Sequence, residues 1–244
     1  VDGRDRGRDR VKLHVGTSGY SYKEWIGSFY PPKQPAATML HYYGERFDTV
    51  EINNTFYRMP TAAMLAKWAE QVPESFRFVL KAPRRITHDK KLADVDDSVR
   101  FLVDASAALR TKRGPLLFQL PPFFKKDVAR LGDFLARLGA IPAAIEFRHD
   151  TWYDPEVYDV LRTHGAALCL ADTEESEPPT VATARWGYLR LRRPDYDDDH
   201  LLLWLERMRA QSWEEAFVFF KHEDEGKGPA LAARFLELAG GPNL

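Results

Sequence analysis

Glu51, Lys81, Glu146, Arg148 and Arg190 stand at or near the ends of short apolar runs, in TVEIN, FRFVLK, AAIEFR and WGYLRLR. Two carboxylates among cations in one pocket have their pKa values driven apart, which is what general acid–base catalysis needs. Glu146 is the candidate acid or base and Glu51 its partner. Arg148, Arg190 and Lys81 would clamp a phosphate or carboxylate and stabilise developing negative charge. Lys81 also has the chemistry of an imine-forming nucleophile, although an adjacent glutamate would raise its pKa and disfavour that role. The structural alternative is a self-satisfied network, with Lys81 between Glu51 and Glu146 and Arg148 packed beside them.

The elements that would position these groups are eight apolar runs. They are LHVG (13–16), TVEIN (49–53), FRFVLK (76–81), PLLFQL (115–120), AAIEFR (143–148), AALCLAD (166–172), WGYLRLR (186–192) and AFVFFKH (216–222). Segments with helical spacing separate most of them, over 38–47, 61–72, 96–109, 127–138, 155–164, 200–210 and 229–239. This alternation predicts an α/β fold, a TIM-type (β/α)8 barrel. The link TEESEPPTVATAR after the sixth run is too polar and proline-broken for a full helix, so the barrel is expected to be irregular there.

Side chains alternate along a strand. If the apolar face of each run meets the surrounding helices, the other face turns Glu51, Asn53, Lys81, Gln119, Glu146, Arg148, Arg190 and Arg192 into the barrel. Asp172 is counted with this ring, and either Lys221 or His222 completes it. Barrel interiors are normally filled with Val, Ile and Leu, and barrel enzymes work at the C-terminal ends of their strands. A charged ring at that end is therefore a candidate site. Asn53, Gln119, Arg148, Asp172, Arg190 and Lys221 are its expected substrate contacts.

The loops above the ring add Tyr20 in GYSYKEWIGSFYPP and Tyr57 in TFYR as stacking candidates. Trp25 and Phe29 are expected to cap the barrel instead. The basic loop APRRITHDKK supplies Arg84, Arg85, His88, Lys90 and Lys91, with His88 the substrate-binding candidate.

The 244-residue chain has 35 basic and 36 acidic residues and a formal net charge of -1, so no global field advertises nucleic acid or membrane. No apolar run approaches the ~18 residues of a membrane span and no signal-peptide pattern opens the chain, so a cytoplasmic location is expected. The single cysteine, Cys169, lies inside an apolar run, where a small buried hydrophobe is expected. Residues 1–10, rich in charge and glycine, are expected to form a disordered tail ahead of one barrel domain over 11–244.

The strings GTSGYSYKEWIGSFYP, TVEINNTFYRMP, KAPRRITH, FQLPP and IEFRHDTW are long, unusual and in order. Through them the chain resembles the YecE-like family, domain of unknown function 72. The resemblance implies a β/α barrel and carries over no established reaction. It singles out Ser18, Gly19, Tyr20, Glu51, Asn53, Thr55, Phe56, Tyr57, Lys81, Thr87, His88, Gln119, Pro121, Glu146, Arg148 and His149. Many members have a His-Gly pair where this chain has Arg192 and Arg193, and paired asparagines where it has Lys221 and His222. Those differences imply a more cationic pocket.

Three functions compete. The favoured one is a metal-independent enzyme acting on a small anionic or sugar-containing substrate, with no cofactor. The second is a metal-dependent endonuclease- or isomerase-like barrel using Glu146, Asp172, His149, His222 and Glu51. It lacks any close ligand pair such as HxH, and inward cations would repel a divalent ion. The third is a non-catalytic nucleotide or nucleic-acid binder built on Tyr20, Tyr57 and the 84–91 loop.

Overall fold

The computed structural model describes residues 11–242 and 244, and the tail assigned to residues 1–10 lies outside them. Eight strands alternate with helices: β1 Lys12–Ser18, α1 Ala36–Gly44, β2 Thr49–Ile52, α2 Ala62–Ala69, β3 Arg77–Lys81, α3 Asp96–Ser106, β4 Arg113–Gln119 and α4 Val128–Leu138. The second half comprises β5 Ala143–Glu146, α5 Pro155–Thr163, β6 Ala167–Asp172, β7 Trp186–Leu191, α6 Asp198–Arg209, β8 Glu215–Phe220 and α7 Lys227–Ala239. The strands form a closed parallel barrel in sequence order, with β8 returning to pair with β1. Closure leaves no free sheet edge and gives the barrel one C-terminal rim on which all eight strands end.

Helix starts follow local capping chemistry. Thr61, Asp127, Asp154 and Asp197 each accept a backbone N–H at the start of α2, α4, α5 and α6. Asp96 and Asp97 stand in the first turn of α3 rather than capping it, since Val95 occupies the cap. They complement the helix dipole there. Gly165 takes φ +62° just beyond α5, the left-handed turn expected where that helix stops.

No helix links β6 to β7. Thr183 from that link accepts the backbone N–H of Leu168 and donates to the Ala166 carbonyl, so a stretch of loop replaces the missing element. Elsewhere the outward strand residues pack on the helices in a continuous core that includes Val50, Leu80, Phe118, Ile145, Leu189 and Phe220.

A second cluster fills the barrel itself: Val79, Leu117, Ala144, Ala167, Cys169, Ala171, Tyr188, Phe217 and Phe219. It fixes the inward parity of most strands. Cys169 belongs to it, and burial pushes its thiol well above the ordinary range, as befits a packed side chain and not a nucleophile. At the N-terminal end His14 stacks on Phe217 with ring centroids 4.6 Å apart and reaches Asp48 at 2.6 Å and Glu215 at 3.4 Å. Burial disfavours its protonation, yet the hydrogen bonds to Asp48 and Glu215 outweigh it and raise its pKa. This polar floor escaped notice in the sequence, where His14 sits inside an apolar run.

The same parity corrects the expectation for Asp172. In β6 the inward row is Ala167, Cys169 and Ala171, so Asp172 faces outward, toward the helices. There its carboxylate accepts from Tyr196 Oη at 2.9 Å, Trp204 Nε1 at 3.0 Å and Arg193 Nε at 2.7 Å. Asp172 is a structural anchor for α6, not a substrate contact. Replacing Asp172 with Ala strands those donors and is expected to cost ~3–5 kcal/mol. At ~2–4 °C per kcal/mol for a chain this size, thermal unfolding should shift down by roughly 10 °C. A melting midpoint unchanged from wild type would mean that these contacts do not hold α6.

Candidate active site at the C-terminal rim

In five strands the side chain two residues beyond the last inward residue of the interior cluster is polar or charged. Val79 is followed by Lys81, Leu117 by Gln119, Ala144 by Glu146, Tyr188 by Arg190 and Phe219 by Lys221. The barrel's uppermost layer is therefore ionic because strand periodicity carries it there. Glu51, Glu146 and Arg190 are fully enclosed.

Arg190 holds the layer together. Its Nη2 donates to Glu51 Oε1 at 2.7 Å and its Nη1 to Glu146 Oε2 at 2.6 Å, joining β2 and β5 through β7. Glu51 also accepts from Tyr188 Oη at 2.5 Å, Ser18 Oγ at 2.7 Å and Asn53 Nδ2 at 3.2 Å. The Ser18 contact depends on a sharp turn at Gly19, where φ is +95° and an added Cβ would lie 2.5 Å from Tyr22 Oη. Glu146 Oε1 faces Arg148 Nε at 2.5 Å and Arg192 Nη1 at 3.8 Å. Neither contact is aligned as a hydrogen bond, and Glu146 Oε1, Arg148 Nε, Arg190 Nε, Arg192 Nε and Arg192 Nη1 are buried without hydrogen-bond partners among the described residues.

These contacts set the protonation states. Burial alone would raise Glu146, but Arg190, Arg148 and Arg192 overcome it and hold the carboxyl down at about 2. Glu51 is likewise lowered: Arg190, Tyr188 and Ser18 outweigh burial. Two carboxylates locked as anions are poor proton donors near neutrality.

Lys81 behaves in the opposite way. It does not sit between the two glutamates, because Arg190 occupies that place. Its Nζ lies 4.1 Å from the centroid of the Phe56 ring. Burial and Arg190 lower it, against Glu146 and Glu51, to about 8. The neighbouring glutamates do raise it, as expected, but burial and the adjacent Arg190 outweigh them. Lys221 is lowered by burial, Arg192 and Arg190. That environment is the ionic layer's, so Lys221 completes the ring; His222 instead meets the Arg193 carbonyl through Nε2.

The remaining candidates divide. Gln119 Oε1 is 3.5 Å from Arg190 Nη1, and Asn53 Oδ1 is 3.4 Å from Arg190 Nη2. Both belong to the ring. His88 turns in against Phe56, with ring centroids 4.9 Å apart, and its pKa is lowered by burial, Lys81 and Arg84. Arg84 pairs with Asp89 on the exposed side of the same loop, as a solvated basic turn does. Tyr57 stands 82% exposed on the rim, whereas Tyr20 is half-buried beside Tyr43. Trp25 is fully buried and donates through Nε1 to the Glu223 carbonyl, so it caps the barrel as expected.

A cleft of about 470 Å³ opens beside the ring, lined by Gln119, Phe147, Arg148, Tyr153, Ala171 and Thr173 among others. The donors considered for a metal are scattered around it. Asp172 faces away, His149 Nδ1 accepts the Thr151 backbone N–H, and His222 is committed to the Arg193 carbonyl. Among the described residues no three His, Cys, Asp or Glu side chains converge. Likewise, no described helix is long and apolar enough to cross a membrane.

Arg190 and Lys81 should respond oppositely to removal. Arg190→Met leaves two buried carboxylates facing each other and should cost ~3–5 kcal/mol near neutral pH. In the wild type the depressed glutamates contribute stability that is present above about pH 4.5 and is lost as pH falls toward 2. In Arg190→Met their pKa values rise, so stability should increase as pH falls from 7 to about 5. Lys81→Met removes an unpaired cation and should leave the unfolding midpoint unchanged or higher. Thermal melts of both variants across that pH range check the pair; a Lys81→Met midpoint below that of Arg190→Met would reverse their assigned roles.

Residues 14–243 match the family model described as Protein of unknown function DUF72. Among curated relatives, the UPF0759 protein YunF of Bacillus subtilis (strain 168) is 27% identical over 229 residues, covering 87% of this chain and 79% of that protein. The UPF0759 protein YecE of Escherichia coli (strain K12) is 29% identical over 143 residues, 58% of this chain and 50% of that one. A crystal structure of a DUF72 family protein from Thermotoga maritima superposes with a TM-score of 0.82 at 25% identity, covering 94% of this chain and 99% of that one. One from Enterococcus faecalis gives 0.79 at 19% identity, covering 93% and 95%, and is a likeness of fold alone. With its strand motifs, its closed barrel and a family match over nearly its whole length, the chain belongs to the DUF72 family of proteins of unknown function.

Proposed function

We propose that the protein is a barrel enzyme acting on a small anionic substrate, a phosphate- or carboxylate-bearing compound such as a sugar derivative, without using a metal. The supporting observation is the charge balance of the ring. Lys81, Arg148, Arg190, Arg192 and Lys221 stand against Glu51 and Glu146, five cations to two carboxylates. Arg190 bridges one oxygen of each carboxylate, and Arg192 remains buried with Nε and Nη1 without hydrogen-bond partners among the described residues. An arginine fork in that condition suits a bidentate oxyanion. In this reading Arg148, Arg192 and Lys221 bind the anion beside the cleft, while Arg190 positions the glutamates. Lys81, lowered to about 8, is the group best matched to proton transfer. Glu146 and Glu51 pass from acid and base to fixed negative charges that orient the cations.

A second reading draws on the rim aromatics. Tyr57 and Phe123 are 82% and 64% exposed above the ring. Such faces stack on a base or sugar, so a nucleotide ligand is the alternative.

Calorimetric titration with inorganic phosphate, sugar phosphates and short single-stranded oligonucleotides checks both. Phosphate-bearing small molecules should bind, and Arg192→Met should weaken them at least about tenfold, or ~1.4 kcal/mol. Turnover, once a substrate is found, should rise with an apparent pKa near 8 as Lys81 loses its proton. Oligonucleotide binding that falls steeply with salt and carries no turnover would replace this reading with the binder. No anion binding at all would remove both.

A further inference from the structure

We infer that Lys81 forms a covalent imine with a small carbonyl compound that also carries a carboxylate or phosphate. The inference rests on the anion-binding reading above and deepens it by naming the reacting group and the substrate's functional class. Its geometric basis is the division of labour within the ring. Glu51 and Glu146 are bridged by Arg190, and Glu146 also faces Arg148 and Arg192. Lys81 Nζ lies instead over the Phe56 ring, and among the described residues no carboxylate forms a salt bridge with it. An inward lysine with no carboxylate paired to it has no ion pair to give up before it attacks a carbonyl.

The charged and titratable groups facing Lys81 are Arg190 from β7, Arg192 just past its end, Glu146 from β5, Glu51 from β2 and His88 from the loop after β3. Burial and, after it, the positive charge of Arg190 lower the ammonium from 10.5 to about 8. About a tenth of it is then neutral near pH 7, roughly 300-fold more than for an ordinary lysine.

The step balances without an added reagent. The Nζ lone pair attacks the carbonyl carbon, and the C=O π pair moves to oxygen, which takes up a proton as nitrogen loses one. The hydroxyl then leaves as water with a second proton, and a C=N bond forms. Overall an ammonium and a carbonyl give an iminium and water, with no net proton exchanged. The positive charge stays where the ring's glutamates already face it. Arg192 and Lys221 supply cationic charge for the substrate's anionic group.

The test is reductive trapping on the full chain. The protein is incubated near pH 7 with pyruvate, glyoxylate or dihydroxyacetone phosphate, reduced with sodium borohydride and mapped by mass spectrometry, with phosphate binding measured in parallel. The expected result is a reduced adduct on Lys81 at least about tenfold above any surface lysine, in keeping with its larger neutral fraction. Inorganic phosphate should suppress it, and Lys81→Arg, its fold verified by an unchanged unfolding midpoint, should abolish it. Trapping by the two carboxylates or by the phosphate ester distinguishes which anion the pocket prefers. Labelling of Lys81 no greater than that of surface lysines with all three probes, in protein that binds phosphate, overturns the imine and leaves the anion pocket standing. Absence of both labelling and phosphate binding overturns both.

Discussion

The fully enclosed Arg190 guanidinium, set between two equally enclosed glutamates, is the interaction on which the rest of the rim depends. Three ionised groups removed from water carry a large desolvation cost, and mutual attraction offsets it only where geometry is close and the remaining atoms are satisfied. Here the closeness is evident at 2.6 and 2.7 Å, with Tyr188, Ser18 and Asn53 completing the environment of Glu51. Such an arrangement is weak evidence for stability as an end in itself. Its consequence is electrostatic. By occupying both carboxylates, Arg190 leaves Lys81, Arg192 and Lys221 as a cationic surplus at the mouth of the barrel.

The two ends of the barrel handle charge differently. At the N-terminal end His14 stacks on Phe217, hydrogen-bonds Asp48 through Nδ1 and faces Glu215 at 3.4 Å, so its charge is balanced by acids. At the C-terminal end the cations outnumber the acids, and buried nitrogens on Arg190 and Arg192 are left without hydrogen-bond partners. Buried polar atoms are normally paired, and His14 Nε2 is an exception at the N-terminal end. Glu146 Oε1 and nitrogens of Arg148, Arg190 and Arg192, by contrast, lie together at the C-terminal rim, and that cluster calls for a functional explanation. The asymmetry accords with the general division in this fold between a stabilising face and a chemical one.

The barrel was legible because strand periodicity and helix spacing are local properties, and closure follows from eight such units. Even the absent helix after β6 was visible in TEESEPPTVATAR, whose prolines and charges leave no apolar stripe to pack. Parity also carried Glu51, Lys81, Gln119, Glu146 and Arg190 to one layer. It misplaced Asp172, because an apolar run buried on both faces gives no contrast from which to choose an inward side. Partner choice was less legible still. Nothing local says that Arg190 instead of Lys81 lies between Glu51 and Glu146, since that depends on how strands far apart in sequence meet across the interior. The glutamates do act to raise Lys81, as expected from the sequence, but burial and the neighbouring Arg190, neither legible locally, act more strongly in the other direction. His14 was missed for a related reason: its acids, Asp48 and Glu215, are brought to it only by closure of the barrel.

The central claim is that Arg190 neutralises the buried carboxylates and leaves Lys81 a free, easily deprotonated amine. The most direct measurement is an NMR titration of the Lys81 side chain in lysine-labelled protein, its signal assigned by loss in Lys81→Arg. The expected midpoint is near 8, well under the ordinary 10.5. A midpoint at or above 10.5 would mean that Lys81 is ion-paired after all, and the division of roles within the ring would fall.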